Sequence, residues 1–386
     1  MSQQPLYIEA GGASVCKYGE ILCGDSLSVS SMGDGKLMVL SDGLGSGVKA
    51  NILATLTTKI ATRLLERGLP LEEVVETLTD TLPECKVRKI AYSTFTLLKV
   101  KDDGRVYLAE FDNPPTFFLK RGYVSQLHYK DKVIGSRKIR EAHVHAEAGD
   151  WLITVSDGEI HAGIGGLLNL GWDWDKIAKF LETQVYEDVS AQKVAQILVD
   201  QARQLYEDRP GDDTTVGVLK IRPKRFGAFM IGPPVRSEDD LEVAKRFLDL
   251  PGRKIVSGGT TAGIIAKVLE KDVTVDLSTM TNKIPPIGRM EGIDLVTEGV
   301  HTVNHALEIL QKISDVDELS GLRDGSSLLA KEFLFADCIY IFLGQAINPA
   351  HLNPNLPQEM GFKSRSVQSI ASILKSMGKE VILEIH

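Results

Sequence analysis

The residues of this sequence best suited to chemistry are aspartates in four short turns, each next to an apolar run. The turns are Gly24-Asp25, Asp42-Gly43, Asp157-Gly158 and Asp212-Asp213. Hard divalent cations take oxygen ligands such as carboxylates and backbone carbonyls. A single Asp-Gly pair is most often an ordinary β-turn, but four acidic turns beside β-runs can meet at one end of a sheet. The pattern therefore predicts a site for two cations, with water in the remaining coordination positions.

The elements around Asp42 show how such a turn is positioned. Residues 36–40, Lys36 followed by four apolar residues, read as a buried strand, and residues 48–67 place apolar side chains at helical spacing. Asp42 thus follows a strand, and the glycines after it let its carboxylate and a backbone carbonyl approach the same point. The apolar run at residues 151–155 leads into Asp157 in the same way. Both aspartates are therefore predicted at the carboxyl ends of strands.

The order of the four turns resembles that of the metal-dependent serine/threonine protein phosphatases of type 2C (PPM). The similarity is closest to the bacterial branch typified by the stage II sporulation protein E phosphatase, and it covers about residues 5–222. Residues 110–118, Glu-Phe-Asp-Asn-Pro-Pro-Thr-Phe-Phe, look like that branch's strand-turn-strand signature. The resemblance implies an α+β fold in four layers, a β-sandwich flanked by helices, with the metals in the cleft at the sheet ends.

The resemblance also implies roles for individual residues. Asp42 would bridge two Mn²⁺ or Mg²⁺ ions, and the Gly43 carbonyl would complete the coordination of one. Asp157 and Asp212 would hold the other ion, although Asp213 is an alternative to Asp212 because adjacent residues in a turn are easily confused. Asp25, a second catalytic candidate, would contact water on a metal. The metals would activate a water for in-line attack on phosphorus, and ligation by oxygen alone argues against zinc.

Two positions depart from the pattern of the eukaryotic members of this family. The residue after the Asp-Gly pair, a His in those proteins, is Leu44 here. The Arg five residues before the first motif's Asp is replaced by Glu20. The resemblance therefore leaves two roles unassigned, protonation of the leaving group and the grip on phosphate.

Composition bounds the remaining possibilities. A chain of 386 residues with 43% hydrophobic content predicts two or more globular domains. The net charge of −8 provides no basic surface for nucleic acid. Four cysteines without a C-x-x-C pair indicate reduced thiols. No apolar stretch reaches the about 18 residues that a membrane span needs, and the first residues lack a signal pattern. We therefore predict a soluble, cytoplasmic protein with no membrane partner.

The second half of the chain follows a different pattern. We place a domain boundary at residues 222–223, which gives a phosphatase-like domain at residues 1–222 and a second domain at residues 223–386. Alternating strands and helices in the second domain predict a smaller three-layer α/β unit with a mostly parallel sheet. Glycine turns that lead into helices bind anions in such sheets. Gly258, Gly259, Thr260 and Thr261 are therefore a candidate cradle for a small phosphate or carboxylate. The alternative is a tight turn with Thr as N-cap.

The expected function is metal-dependent hydrolysis of phosphoserine or phosphothreonine on a regulatory protein. The second domain would set activity or the choice of partner. One alternative is a pseudo-phosphatase scaffold that binds a phosphoprotein, which the missing His and Arg would suit. The other is a small-molecule phosphohydrolase with the second domain as substrate domain.

Overall fold

The chain divides into two compact units, Met1–Pro223 and Lys224–His386. The computed structural model describes residues 5–81, 93–134, 137–314, 316–346 and 359–386. In these ranges, no helix combines the length and the apolar content that a membrane span needs.

Two antiparallel sheets form the centre of the first unit. One consists, in spatial order, of Leu6–Val15 (β1), Thr214–Pro223 (β11), Trp151–Val155 (β10), Phe117–Lys120 (β6) and Tyr123–Ser125 (β7). The other consists of Asp25–Met32 (β2), Gly35–Asp42 (β3), Phe95–Lys101 (β4), Arg105–Phe111 (β5), Arg137–His145 (β9) and Lys130–Ile134 (β8).

Helices cover the outer face of each sheet. The helices of this unit are Gly47–Glu66 (α1), Leu71–Thr81 (α2), Asp157–Ile160 (α3), Trp174–Gln184 (α4) and Ala191–Leu205 (α5). Side chains alternate along a strand, so Trp151 and Ile153 of β10 pack against α4 and α5 while Leu152 between them packs between the sheets. In the same way, Leu37 and Val39 of β3 face α1 and α2. The four-layer α+β fold implied by the resemblance is therefore confirmed.

Two details of the first unit differ from the sequence expectations. Residues 6–11 and 14–17 read as two strands, but β1 is continuous and pairs with β11 along its whole length. Residues 143–146 read as a short strand, but β9 begins at Arg137 and pairs with β8. Charged side chains interrupt the apolar alternation of the β8–β9 hairpin, so its extent was hidden from pattern analysis.

One twisted sheet forms the second unit. Its spatial order is Thr274–Asp276 (β14), Ile287–Met290 (β15), Ile293–Thr297 (β16), Arg253–Ser257 (β13), Phe226–Ile231 (β12), Cys338–Leu343 (β17) and Glu380–Ile385 (β18). The strands from β16 to β18 are parallel, and β14 and β15 add an antiparallel edge.

Helices lie on both faces of this sheet. They are Asp240–Asp249 (α6), Gly259–Leu269 (α7), Val300–Leu310 (α8), Gly325–Phe335 (α9) and Glu359–Ser376 (α10). One core contains α6 and α7, and the core on the opposite face contains α8, α9 and α10. The chain runs outward from β12 through β13 to β16 and then returns to the other side of β12 as β17. In open α/β sheets, ligands bind beyond the carboxyl ends of the strands at such a reversal.

Candidate metal centre

The acidic turns of the first unit meet at one end of its two sheets. Asp42, Asp157 and Asp212 line a common cleft of about 270 Å³. Asp25 lies directly opposite Asp42 in the β2–β3 pairing and is buried. Asp213 is also buried, and its charge acts on Asp25. The structure thus brings together all five aspartates singled out from the sequence.

The turn after β3 is held tightly against α1. A Cβ on Gly43 would lie 2.2 Å from the carbonyl oxygen of Ala50 in α1, so no residue with a side chain fits there without movement of the backbone. The Gly43 amide donates to the carbonyl of Gly24 at 3.2 Å. Gly43 therefore joins the first two acidic turns, at Asp25 and Asp42, through its backbone.

The other two acidic turns are joined by the pairing of β10 with β11. The Thr215 amide donates to Ser156 Oγ at 2.8 Å, and the Ser156 amide donates to the Thr215 carbonyl at 2.9 Å. Asp157 follows as the first residue of the short helix α3. A Cβ on Gly158 would lie 2.1 Å from the Asp213 carbonyl oxygen. The backbone of Gly158, directly after Asp157, is therefore in contact with the backbone of Asp213.

Residues 110–118 connect the two sheets, because β5 belongs to one and β6 to the other. Glu110 is fully buried and accepts hydrogen bonds from the Thr116 amide at 2.8 Å and from Arg140 at 2.8 Å. Arg140 also donates to the Asn113 carbonyl at 2.8 Å. This ion pair, whose carboxylate is buried, therefore fixes the turn between the sheets.

The same turn positions Asp42 through Thr94. Thr94 Oγ1 donates to Asn113 Oδ1, and it accepts a hydrogen bond from the Asp42 amide at 3.3 Å. The Thr94 amide donates to the Asp42 carbonyl at 2.9 Å. Residues 110–118 thus hold the backbone of Asp42 in place through Thr94. The sequence of this segment does not reveal that role.

Burial, together with the charges of neighbouring carboxylates, raises the pKa values of Asp42, Asp25 and Asp212. Burial raises the pKa of Asp42 to about 9, and the charges of Asp25 and Asp157 act in the same direction. Burial also raises the pKa of Asp25 to about 7, although the nearby hydroxyls of Ser156 and Thr215 oppose the shift. The pKa of Asp212 is raised by burial and by Asp157, against the opposing charge of Lys17. Bound protons or cations are therefore needed to offset the negative charge of the cluster.

Three buried carboxylate oxygens of the acidic cluster have no hydrogen-bond partner among the described residues. They are both oxygens of Asp25 and Oδ2 of Asp213. A buried acceptor without a partner costs free energy, and a hard divalent cation is the group that such oxygens accommodate best. The donor set of the cluster therefore fits Mn²⁺ or Mg²⁺.

Lys17 is a cleft residue that the sequence reasoning missed. Its side chain lines the same cleft, with Nζ 3.9 Å from Asp212 Oδ1. Its amide donates to Asp213 Oδ1 at 2.9 Å. Of the two departures noted above, Leu44 also lines the cleft, whereas Glu20 accepts a hydrogen bond from Ser46 at 3.0 Å. Lys17 precedes the first acidic turn and belongs to no motif, so no sequence signal identified it.

Two thiols lie beside the acidic cluster. The sulfur atoms of Cys16 and Cys23 and a carboxylate oxygen of Asp213 are all within 4.8 Å of one another. Burial, together with the charge of Asp213, raises the pKa of the Cys16 thiol, and burial together with that of Asp25 raises the pKa of the Cys23 thiol. Both therefore remain protonated near neutral pH and lack thiolate reactivity. Cys85 lies outside the described residues.

The four cradle residues predicted in the second domain line a different cleft, within the second unit. Gly258, Gly259, Thr260 and Thr261 occupy one wall of a space of about 500 Å³. The alternative interpretation, a threonine N-cap, is wrong, because the N-cap of α7 is Gly258 and no side chain caps it. Thr261 instead accepts a hydrogen bond from the Gly232 amide at 2.9 Å.

Comparison with known proteins connects the first unit to a family. The model of the stage II sporulation protein E (SpoIIE) family matches residues 33–222. Stage II sporulation protein E of Bacillus subtilis (strain 168) is 27% identical over 219 residues, 55% of this chain and 26% of that protein. The protein of the same name from Priestia megaterium is 24% identical over 221 residues, 56% of this chain and 36% of that protein.

Solved structures with a similar fold include the PP2C phosphatase domain and regulatory-domain fragment of Bacillus subtilis SpoIIE. It is 21% identical with a TM-score of 0.49, and the match covers 57% of this chain and 63% of that one. The RsbU and RsbW domains of a Mycobacterium tuberculosis protein are 15% identical with a TM-score of 0.48, covering 63% and 67%.

The family model and the two sequence relatives support a type 2C (PPM) phosphatase domain at residues 33–222, of the branch typified by stage II sporulation protein E. This assignment depends on the family model and the two sequence relatives, not on the structural matches. The chain spans 26% and 36% of the length of those relatives, so what the whole relatives do is not transferred to it.

Proposed function

We propose that the first unit removes phosphate from phosphoserine or phosphothreonine in a regulatory protein, with Mn²⁺ or Mg²⁺ as cofactor. The observation that carries the proposal is the meeting of Asp42, Asp157 and Asp212 in one cleft, above buried carboxylate oxygens that lack partners. Phosphate monoesters hydrolyse extremely slowly without catalysis, so neutralisation of the phosphate charge is the first requirement of the site.

The metal ligands in this proposal are Asp42, the Gly43 carbonyl, Asp157 and Asp212. The bound cations would neutralise phosphate oxygens and lower the pKa of the attacking water. Asp25 and Asp213 lie deeper, where their unpaired oxygens would hold water or the ions in place. The Lys17 ammonium would attract the substrate phosphate. Leu44 has no proton to donate to the leaving group, so we expect slow turnover.

A protein substrate is favoured by the surface beside the cleft. Tyr18, Ile21 and Leu22 follow Lys17 and are exposed, with 93% of Ile21 accessible. Exposed apolar side chains grouped next to a polar cleft are typical of surfaces that contact polypeptides. A site for small sugar phosphates would instead need polar groups there to bind hydroxyls.

The second unit would set the activity of the first or its choice of partner. Covalent linkage of a phosphatase domain to an α/β unit with its own cleft is the basis for this part of the proposal. The isolated first unit should then respond differently to effectors from the full chain.

Hydrolysis assays distinguish the proposal from its two alternatives. The full chain is tested on phosphoserine and phosphothreonine peptides and on sugar and nucleotide phosphates, each with Mn²⁺ or with EDTA. The proposal expects hydrolysis of the phosphopeptides that EDTA abolishes. Preference for the small phosphates would favour a small-molecule phosphohydrolase. No hydrolysis with Mn²⁺ but retained binding of a phosphopeptide would favour a pseudo-phosphatase scaffold.

A further inference from the structure

The cleft of the second unit lies at the carboxyl ends of the parallel strands, where the strand order reverses. Ile231 of β12 and Ser257 of β13 reach it, and so do Glu298 and Gly299 after β16. Its volume of about 500 Å³ is within the range of small-molecule sites. The proposed hydrolysis of phosphate by the first unit does not depend on this cleft; only the proposed regulatory role of the second unit does.

The first turn of α7 offers the cleft three backbone amides without partners. The first intrahelical bond of α7 runs from the Ala262 amide to the Gly258 carbonyl at 2.9 Å. In the described part of the chain, the amides of Gly259, Thr260 and Thr261 donate to no protein group. The first turn also lacks an acidic residue and a capping side chain. An anion in the cleft would satisfy these donors and the positive end of the helix dipole.

A second helix begins at the same cleft. The amides of Val300 and His301, in the first turn of α8, also have no partner among the described residues. The next amide, of Thr302, donates to Glu298 at 3.4 Å. Gly258 and Gly299 face each other, because a Cβ on Gly299 would lie 3.6 Å from the Gly258 Cα. The two helix ends therefore converge on one space.

A lysine from a distant part of the chain completes the cleft. Lys363 of α10 lines it, and its ammonium donates to the Gly344 carbonyl at 2.6 Å. Burial lowers the pKa of Lys363, and in the described residues no carboxylate forms an ion pair with it. An ammonium held in a partly buried site without a counter-ion attracts an anion. This observation is independent of the helix ends, and it also indicates a negatively charged ligand.

We propose that this cleft binds a small phosphate monoester that also carries hydroxyl groups, such as a sugar phosphate or a mononucleotide. A helix end contributes about half a positive charge. Together with Lys363, the two helix ends supply about two positive charges, of which the exposed Glu298 offsets a part. The five unpartnered amides at the helix ends match the three terminal oxygens of a phosphate monoester better than the two oxygens of a single carboxylate. Glu298 is exposed at the cleft and supplies an acceptor for a ligand hydroxyl.

Binding of defined probes to the full chain tests the proposal. Titration calorimetry in EDTA uses AMP, ribose 5-phosphate, inorganic phosphate and citrate. EDTA excludes metal-dependent binding at the acidic cluster, which by itself repels anions, so the result is separable from phosphatase activity. We expect AMP or ribose 5-phosphate to bind at least tenfold more tightly than inorganic phosphate or citrate. Binding of citrate alone, or of no probe, would overturn the proposal.

Two pairs of variants locate the binding. Gly259 and Gly263 both lie in α7, and a Cβ on either meets no atom within 4 Å, but only Gly259 is a wall of the cleft. Gly259→Ala should weaken binding at least tenfold, and Gly263→Ala should leave it within twofold of wild type. Lys363→Met should also weaken binding tenfold, whereas Lys375→Met at an exposed position of α10 should not. Unchanged affinity in both Gly259→Ala and Lys363→Met would place the ligand elsewhere.

Discussion

The clefts of the two units contain unpaired polar groups of opposite charge. In the first unit, side-chain carboxylates crowd together, and three of their buried oxygens have no partner in the described structure. In the second unit, backbone amides at two helix ends and the Lys363 ammonium face the other cleft. Among the described residues, no carboxylate forms an ion pair with Lys363. The polar groups that folding leaves unpaired therefore indicate the charge of the ligand, a cation in one unit and an anion in the other.

The two clefts also differ in where the charge originates. The acidic cluster is built from side chains, so single substitutions at aspartates should remove it. The cleft of the second unit is lined largely by backbone amides, and a side-chain substitution does not remove an amide. Its binding is therefore best changed by adding a side chain at Gly259 or by removing the charge of Lys363. The predictions below test this contrast in order of expected effect.

The largest effect is expected from Asp42→Asn. This change removes the carboxylate charge proposed to bridge two ions while keeping the size of the side chain. We expect kcat/KM on a phosphopeptide with Mn²⁺ to fall at least about 10³-fold, equivalent to about 4 kcal/mol of transition-state stabilisation. Circular dichroism should show a folded protein. Activity within tenfold of wild type would remove Asp42 from the catalytic site.

The adjacent aspartates should separate into a metal ligand and a structural residue. Asp212 lines the cleft, whereas Asp213 is buried and accepts the Lys17 amide. We expect Asp212→Asn to weaken Mn²⁺ binding at least tenfold, measured by calorimetry, with little change in Tm. Asp213→Asn should chiefly lower Tm. The reverse result would exchange their roles.

Lys17 should contribute to substrate binding at the first cleft. Lys17→Gln removes the cation that lies 3.9 Å from Asp212, so we expect about a tenfold rise in KM with a smaller change in kcat, as for a charge that attracts phosphate. Lys49→Gln, at an exposed position of α1, is the matched control. Equal kinetics of Lys17→Gln and wild type would leave the grip on phosphate unassigned.

The acidic cluster should make the metal-free protein less stable as pH rises. Folding raises the pKa of Asp25 to about 7 and that of Asp42 to about 9, so the folded chain holds protons that the unfolded chain has lost. Their stabilisation is complete below about pH 4 and is lost as pH rises through these values. The slope is about 1.4 kcal/mol per pH unit for each excess proton.

Thermal unfolding in EDTA at several pH values between 5 and 9 measures this loss. Asp42→Asn removes one of the titrating groups, so its Tm should fall less steeply with pH than that of wild type. Added Mn²⁺ should restore Tm most strongly at high pH, because it replaces the lost protons. Parallel pH profiles of wild type and variant would contradict the assigned electrostatic coupling.

The smallest effect is expected at Glu298, the acidic residue of the second cleft. Glu298→Gln removes a negative charge near the proposed anion and weakens the competing contact with the Thr302 amide. We expect inorganic phosphate to bind about threefold more tightly, a typical size for one exposed charge. Glu308→Gln, further along α8, is the control. Weaker phosphate binding in Glu298→Gln would show that Glu298 does not oppose the anion.

The sequence predicted much of the architecture because its period-two and helical patterns are local properties. The four-layer first unit is confirmed, and the second unit has the expected mostly parallel sheet, which contains strands β12, β13, β17 and β18. The β8–β9 hairpin was underestimated because its exposed side chains carry little hydrophobic pattern. The four acidic turns were found because glycine next to aspartate is a signal within a few residues.

What the sequence determined by itself is the chemistry available in each unit: carboxylates in turns after or before strands, and glycine turns before helices. What only the tertiary structure decided is proximity between distant segments. Lys17 lies near Asp212, Cys16 lies near Cys23, and Lys363 lines the same cleft as Gly259, although no local sequence pattern links these pairs. Their proximity depends on how strands pair and helices pack. The same packing decides which polar atoms find a partner in the fold and which are left for a ligand.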